Sequence, residues 1–285
     1  MGGRRGSAAR GDGEGDAVTR SRVVLAVLVA LALAVVGVSP PLGDEYPAAA
    51  QVDTRRHAVV AVFGATGLVG EGVFDALRRD PEVRRVHVVT RRKTPAIDAA
   101  EAAGRATVWI HTDYQDYAAL GPMLAEVDAV YWALGTSAVN VSDAEYSQIH
   151  VDFPVRFVAA WLAARGREAP LSFHLVSGSG AADTSWFHWA REKARAERTL
   201  AHDAAGTGLR FVSYRPGGVL REGERARWYT APFWVFRPLK RAIEPSAIGQ
   251  AMLEVTARGS DVAGGTLENR DLLRFANGYR ARRGR

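Results

Sequence analysis

Cysteine is missing from all 285 residues, which excludes disulfide scaffolding, thiolate catalysis and cysteine-type zinc sites together. The seven histidines are dispersed, with no HExxH pattern, so no metal ligand set is expected either. There is no Walker loop, and neither Ser177 nor Ser179 has glycines two positions away on both sides, as a hydrolase nucleophile elbow requires. A net positive charge between the termini is also lacking. The net charge of +6 sits at the ends: five arginines against Asp12, Glu14 and Asp16 before residue 23, and Arg280, Arg282, Arg283 and Arg285 at the other terminus. The residues between are neutral in sum, so a nucleic-acid partner is not expected.

With 47% hydrophobic and 24% charged residues, the chain has enough apolar content for one ordinary core. Val23 to Val38 is an uncharged apolar run behind an arginine-bearing leader and before the breaker Ser39-Pro40-Pro41. At 16 residues it falls short of the about 20 that span a bilayer, and it fits a signal-type segment at least as well. Membrane association or targeting through residues 23–38 is the expectation, with Ala48-Ala49-Ala50 as a candidate cleavage site. The folded domain is expected in an organelle or facing the cytosol. The chain divides into a targeting segment and linker (1–56), a folded domain (57–278) and a basic tail (279–285).

From His57 onward, short apolar runs alternate with amphipathic ones, the signature of βα units feeding a parallel sheet. Strands are predicted at Ala58–Phe63, Arg85–Thr90, Ala106–His111, Ala129–Leu134, Leu171–Val176 and Arg210–Tyr214. Helices are predicted at Leu68–Arg79, Tyr117–Ala125, Asp143–Arg165, Ser185–Asp203 and Ser246–Arg258, where apolar residues recur at three and four. The fold class is α/β, a Rossmann-type doubly wound parallel sheet with a small C-terminal substrate-side region at about 215–278. The aromatic stretch Trp228 to Phe236 falls in that region and fits either an apolar pocket or ordinary packing.

Between the first strand and the first helix lies Gly64-Ala-Thr-Gly67-Leu-Val-Gly70. Glycines let the chain turn tightly beside a pyrophosphate while amides at the helix start donate to it, so Gly64, Thr66, Gly67, Leu68, Val69 and Gly70 are candidate cofactor contacts. Past the second strand, where an NAD-binding chain usually carries an acid for the ribose hydroxyl, stands Thr90-Arg91-Arg92-Lys93. Arg91 and Arg92 suit a 2′-phosphate, which favours NADP(H) over NAD(H). Asp113 and Gly135, past the third and fourth strands, are further candidates for adenine and ribose contact, with plain capping an equal reading of each.

Together with Ala133-Leu-Gly-Thr136, Phe173-His-Leu-Val-Ser177, Lys193 and Tyr214-Arg-Pro-Gly217, the glycine turn resembles the atypical short-chain dehydrogenase/reductases, and within them the NAD(P)H-binding Tat-interacting-protein-like and NmrA-like group. The resemblance covers roughly His57 to Ala276. It implies a catalytic set of Ser, Tyr and, four residues on, Lys, with the lysine also on the nicotinamide ribose. Ser177 and Lys193 match. The tyrosine position is Trp189. An indole N–H donates a hydrogen bond but does not ionise near neutral pH, so the proton source stays open, with His188, Tyr146 and Tyr214 as candidates. The function implied is an NADP(H)-dependent oxidoreductase acting on a small carbonyl or enone; the alternative is a cofactor-binding sensor or interaction module that has lost turnover.

Overall fold

The computed structural model describes residues 52–220 and 242–284. The apolar run 23–38, the alanine triplet 48–50 and the aromatic stretch 228–236 lie outside the described residues. Among the described residues no helix is long and apolar enough to cross a membrane.

Seven strands form one sheet: β1 (Val59–Phe63), β2 (Arg85–Thr90), β3 (Ala106–Ile110), β4 (Ala129–Trp132), β5 (Ser172–Val176), β6 (Arg210–Arg215) and β7 (Gly265–Glu268). Their order is β3-β2-β1-β4-β5-β6-β7 and every pairing is parallel. The helices are α1 (Leu68–Arg79), α2 (Pro95–Ala102), α3 (Gly121–Glu126), α4 (Asp143–Ser147), α5 (Phe153–Arg165), α6 (His188–Ala204), α7 (Pro245–Arg258) and α8 (Asn269–Arg282). The six expected strands all form, with ends within two residues of those read from the sequence. The reversal of order between β1 and β4 opens a crevice at the carboxyl ends of the strands, where this architecture binds ligands.

A parallel sheet covered on both faces needs apolar residues at successive positions, which is why β1 reads as an unbroken apolar run. Its side chains alternate: Val60 and Val62 join the core beneath α1, α7 and α8, while Ala61 and Phe63 join the core beneath α3, α5 and α6. On the second face Phe63 stacks on Trp132 at 4.4 Å between ring centroids and meets Phe157 edge-on at 4.8 Å.

Part of the stretch expected to be a substrate-side appendage belongs to this frame. α7 is buried along almost its whole length. It approaches α1 so closely that a Cβ on Gly72 would stand 2.3 Å from Pro245. β7 is a further strand that the sequence does not announce: four residues, mostly exposed, without alternation. Arg210 of β6 donates to the carbonyls of Val255, Gly259 and Val262, satisfying the carboxyl end of α7. The expected basic tail also changes character. Residues 279–282 complete α8, and Arg283 donates to both carboxylate oxygens of fully buried Asp80 at 2.7 and 2.9 Å. The charge there serves packing, because a buried carboxylate requires a partner.

Candidate active site

The chain leaves β1 at Phe63 and reverses at Gly64, whose φ of +80° is a conformation that glycine adopts without strain. A Cβ on Gly64 would lie 2.5 Å from the Ala133 carbonyl oxygen, and one on Gly70 would lie 1.9 Å from the Gly64 oxygen. Packing therefore dictates the first and third glycines. The middle one is different: a Cβ on Gly67 would meet only the Gly64 oxygen, at 3.5 Å. Gly67 opens α1 with extended backbone and no side-chain cap, so the first-turn amides of Leu68, Val69 and Gly70 have no side-chain acceptor. A bare cradle with uncapped donors and the positive end of a twelve-residue helix fits a dinucleotide pyrophosphate. A cleft of about 600 Å³ runs from Ala65, Thr66 and Leu68 to Thr94 and Pro95, past the end of β2.

Arg91 and Arg92 are exposed just beyond β2, and among the described residues neither has a carboxylate partner, whereas Lys93 pairs with Glu101. The Thr90 hydroxyl pins this corner, donating to the Arg92 carbonyl at 2.7 Å. Asp113 is exposed past β3, and one of its oxygens accepts from the Gln115 amide at 2.9 Å. That bond is a turn cap.

Gly135, past β4, sits against His150: a Cβ there would stand 2.7 Å from the imidazole Cε1. The His150 Nε2 lies 3.2 Å from the Thr136 amide nitrogen and 3.1 Å from the Thr136 carbonyl oxygen, so either ring tautomer finds a partner there. His150 belongs to a single π-helical turn, Gln148–Asp152, inserted between α4 and α5, a device frequent at functional sites. Burial first, and then the positive charge of Lys193, pull its pKa to about 3, so the ring is neutral at physiological pH. Tyr146 packs on it at 4.1 Å between centroids, and burial, with Glu192 nearby, pushes that phenol up to about 12.

At the end of β5, Lys193 of α6 donates to the Ser177 carbonyl at 3.3 Å. Burial brings the amine down to about 8 against the opposing pull of Glu197. The Ser177 hydroxyl is buried and has no well-formed hydrogen bond among the described residues, although it lies near enough to Glu197 to help keep that carboxyl low. Glu197 is otherwise held by the Ser213 hydroxyl at 2.7 Å and the Arg215 Nε at 3.0 Å. One helical turn before Lys193, the indole of Trp189 lies 3.5 Å from where a Gly180 Cβ would be. The other candidate proton donors face elsewhere. His188 is 3.3 Å from the Ser147 hydroxyl and 3.2 Å from the Asp143 carbonyl. Tyr214 is fully buried, 2.8 Å from His174 Nδ1.

Residues 64–256 match the family model described as NAD(P)H-binding. The chain belongs to that family. Its membership agrees with the resemblance to atypical short-chain dehydrogenase/reductases read from the motifs. The chain is 30% identical over 175 residues to Protein fmp52, mitochondrial, of Aspergillus clavatus, a match covering 60% of this chain and 70% of that protein. It is 28% identical over 142 residues to leucinostatins biosynthesis cluster protein T of Purpureocillium lilacinum, covering 49% and 50% respectively. Among solved structures, a 3-oxoacyl-[acyl-carrier protein] reductase from Brucella melitensis superposes with a TM-score of 0.59 at 18% identity, covering 75% of this chain and 95% of that one. A structure of 3-oxoacyl-[acyl-carrier protein] reductase from the same organism, in complex with NAD, gives 0.56 at 17%, covering 76% and 97%. At these identities the likeness is one of fold. The nicotinamide-binding assignment stands on the family match and the turn geometry.

Two features escape sequence reasoning. One is His150, whose place against Gly135 depends on the π turn. The other is a grouping of His57, Asp80 and Glu82, whose potential ligand atoms lie within 4.8 Å of one another. The carboxylates in it are occupied: Asp80 by Tyr279, Arg283 and the Glu82 amide, Glu82 by Arg282 and Arg283. Two guanidinium groups already balance the two acids. This set reads as an ion-pair clamp.

Proposed function

We propose that the protein is an NADP(H)-dependent oxidoreductase acting on a small carbonyl or enone. The observation that carries this reading is Lys193, held against the Ser177 carbonyl at the carboxyl end of β5 with its amine brought to about 8. A lysine in that range exchanges a proton at working pH, which is what carbonyl reduction asks of the protein. When bound, the reduced nicotinamide supplies the hydride. The residues of this chain do the rest: Gly64, Thr66, Gly67, Leu68, Val69 and Gly70 would hold the pyrophosphate, Lys193 delivers the proton, and the Ser177 hydroxyl orients the substrate oxygen. Arg91 and Arg92, exposed and, among the described residues, without carboxylate partners, would bind a 2′-phosphate, while Asp113 and Gly135 would lie toward the adenine and ribose. The mitochondrial naming of the fmp52 relatives and the apolar run 23–38 together support targeting to an organelle.

One observation favours the second reading, a cofactor-dependent sensor: Trp189 takes the place of the phenol that would donate the proton. Titration with NADPH and NADH, followed by a carbonyl panel read through NADPH absorbance, separates the two. We expect NADPH to bind more tightly and to be consumed. Binding without turnover would favour the sensor, and binding of neither cofactor would overturn both readings.

A further inference from the structure

We propose that Glu197 is a positioning residue: buried one helical turn beyond Lys193, it supplies the counter-charge that keeps Lys193 an ammonium, and Arg215 sets how much of that charge Lys193 feels. The inference rests on the oxidoreductase reading above, which gives the ammonium its task.

Lys193 and Glu197 stand four positions apart on α6, so their side chains leave the same face with about 5–6 Å between Cβ atoms. Lys193 turns to the Ser177 carbonyl at the end of β5, and the Ser177 side chain lies near the Glu197 carboxylate. Glu197 is 6% exposed. Its carboxylate is gripped from β6, where the Ser213 hydroxyl donates at 2.7 Å, the Arg215 Nε at 3.0 Å, and the Arg215 Nη2 closes a bond to the second oxygen. Arg215 is itself divided: its Nη1 donates to Glu268 of β7 at 3.1 Å.

Two carboxylates therefore converge on one guanidinium, and one negative charge is left over. Lys193 balances it. The other cations of α6 are engaged elsewhere: Arg191 donates to the carbonyls of Ser185 and Trp186, Arg195 pairs with Glu192, and Arg198 pairs with Asp183. The titratable groups facing Lys193 from other elements carry no charge at neutral pH. His150 of the π turn is a neutral ring, and Tyr146 of α4 and Tyr214 of β6 are phenols raised by burial. An enclosed amine without a counter-charge sheds its proton, and a charge one turn away acts more strongly in the interior than in water. Burial draws Lys193 down, and Glu197 opposes that fall. Burial would raise Glu197 in turn, but the hydrogen bonds of Arg215, Ser177 and Ser213 outweigh it and keep the group a carboxylate.

Lysine stands only at positions 93, 193 and 240, and Lys193 is half-buried, so trace acetylation of the full chain by acetic anhydride, followed through amine titration by mass spectrometry, reads its midpoint directly. In Glu197→Gln the midpoint should fall by at least about 0.5, a threefold change in proton affinity; Arg215 keeps Glu268 there, so no charge is buried alone. Glu268→Gln, an exposed change that spares the fold, should lower the midpoint by less, and Arg215→Met should raise it. A shared loss of packing would not move it in opposite directions. With NADPH and a carbonyl that is turned over, the alkaline limb of kcat/KM should shift in the same order. A midpoint that moves by less than about 0.2 in Glu197→Gln, or moves the same way in Glu197→Gln and Arg215→Met, would overturn the inference and leave the oxidoreductase reading intact. Ordered shifts in a protein that binds NADPH without consuming it would instead remove that reading, and with it the task of the ammonium.

Discussion

Tyr279 donates a hydrogen bond of 2.8 Å to Asp80, and both side chains are buried although 199 positions separate them. The bond ties the last helix to the end of the first, and so closes the side of the sheet on which α1, α7 and α8 pack. Removing the hydroxyl leaves a buried carboxylate short of one donor. Tyr279→Phe should therefore lower unfolding stability by about 1–3 kcal/mol, measured by urea denaturation. A change below about 0.5 kcal/mol would show that Arg283 alone suffices for Asp80.

The same carboxylate sets an acid limit. Burial on its own would raise Asp80, but the hydrogen bonds of Tyr279 and the Glu82 amide, with the charge of Arg283, outweigh it and hold the group below its ordinary 3.8. A group with a depressed folded pKa adds stability that is complete above its unfolded value and lost as pH falls through its folded one. Stability should thus decline below about pH 4, and Asp80→Asn, less stable at pH 7, should show a flatter acid limb. Parallel limbs in the two proteins would assign the acid sensitivity elsewhere.

For the phosphate turn, Gly70→Ala places a methyl group 1.9 Å from the Gly64 oxygen, a contact no rotamer relieves. Displacing the turn should weaken NADPH binding by at least about tenfold, since backbone strain of this kind costs about 1–3 kcal/mol. Calorimetric titration reads the loss, and circular dichroism establishes that the sheet is still formed.

Lys193 predicts a pH profile. Its ammonium is the form that donates, and the group loses its proton near pH 8. In the direction of carbonyl reduction, kcat/KM should be level below that value and fall tenfold per unit above it. Lys193→Met should remove both the activity and the limb. A rate that rises through pH 8 would reverse the assignment.

Cofactor choice is tested at Arg91. Arg91→Ala should cost NADPH about 1.5–3 kcal/mol of binding, the range for a charge-assisted hydrogen bond, and leave NADH within about twofold. Equal losses for the two cofactors would place the 2′-phosphate away from this corner.

Local pattern made much of the fold legible. β1 to β6 and α1 announce themselves because burial imposes a period on neighbouring residues, and the glycine spacing is readable because the turn it builds spans seven positions. Elements without that period stayed hidden. β7 is short and mostly exposed, α2 is an eight-residue alanine-rich helix of weak amphipathicity, and α8 carries Gly278 and an arginine-rich end that read as a tail. The motifs likewise singled out Ser177, Lys193 and the tryptophan at 189, but not what surrounds them. His150 reaches Gly135 through a π turn, which no spacing rule anticipates, and Asp80 meets Tyr279 and Arg283 only after the strands are ordered and α7 and α8 have packed. The sequence by itself determined the strongly patterned elements, β1 to β6 and α1, and the glycine turn, since both depend on residues a few positions apart. The tertiary structure decided which charges and rings meet around them, because those contacts join segments up to 203 residues apart and exist only once both layers are buried.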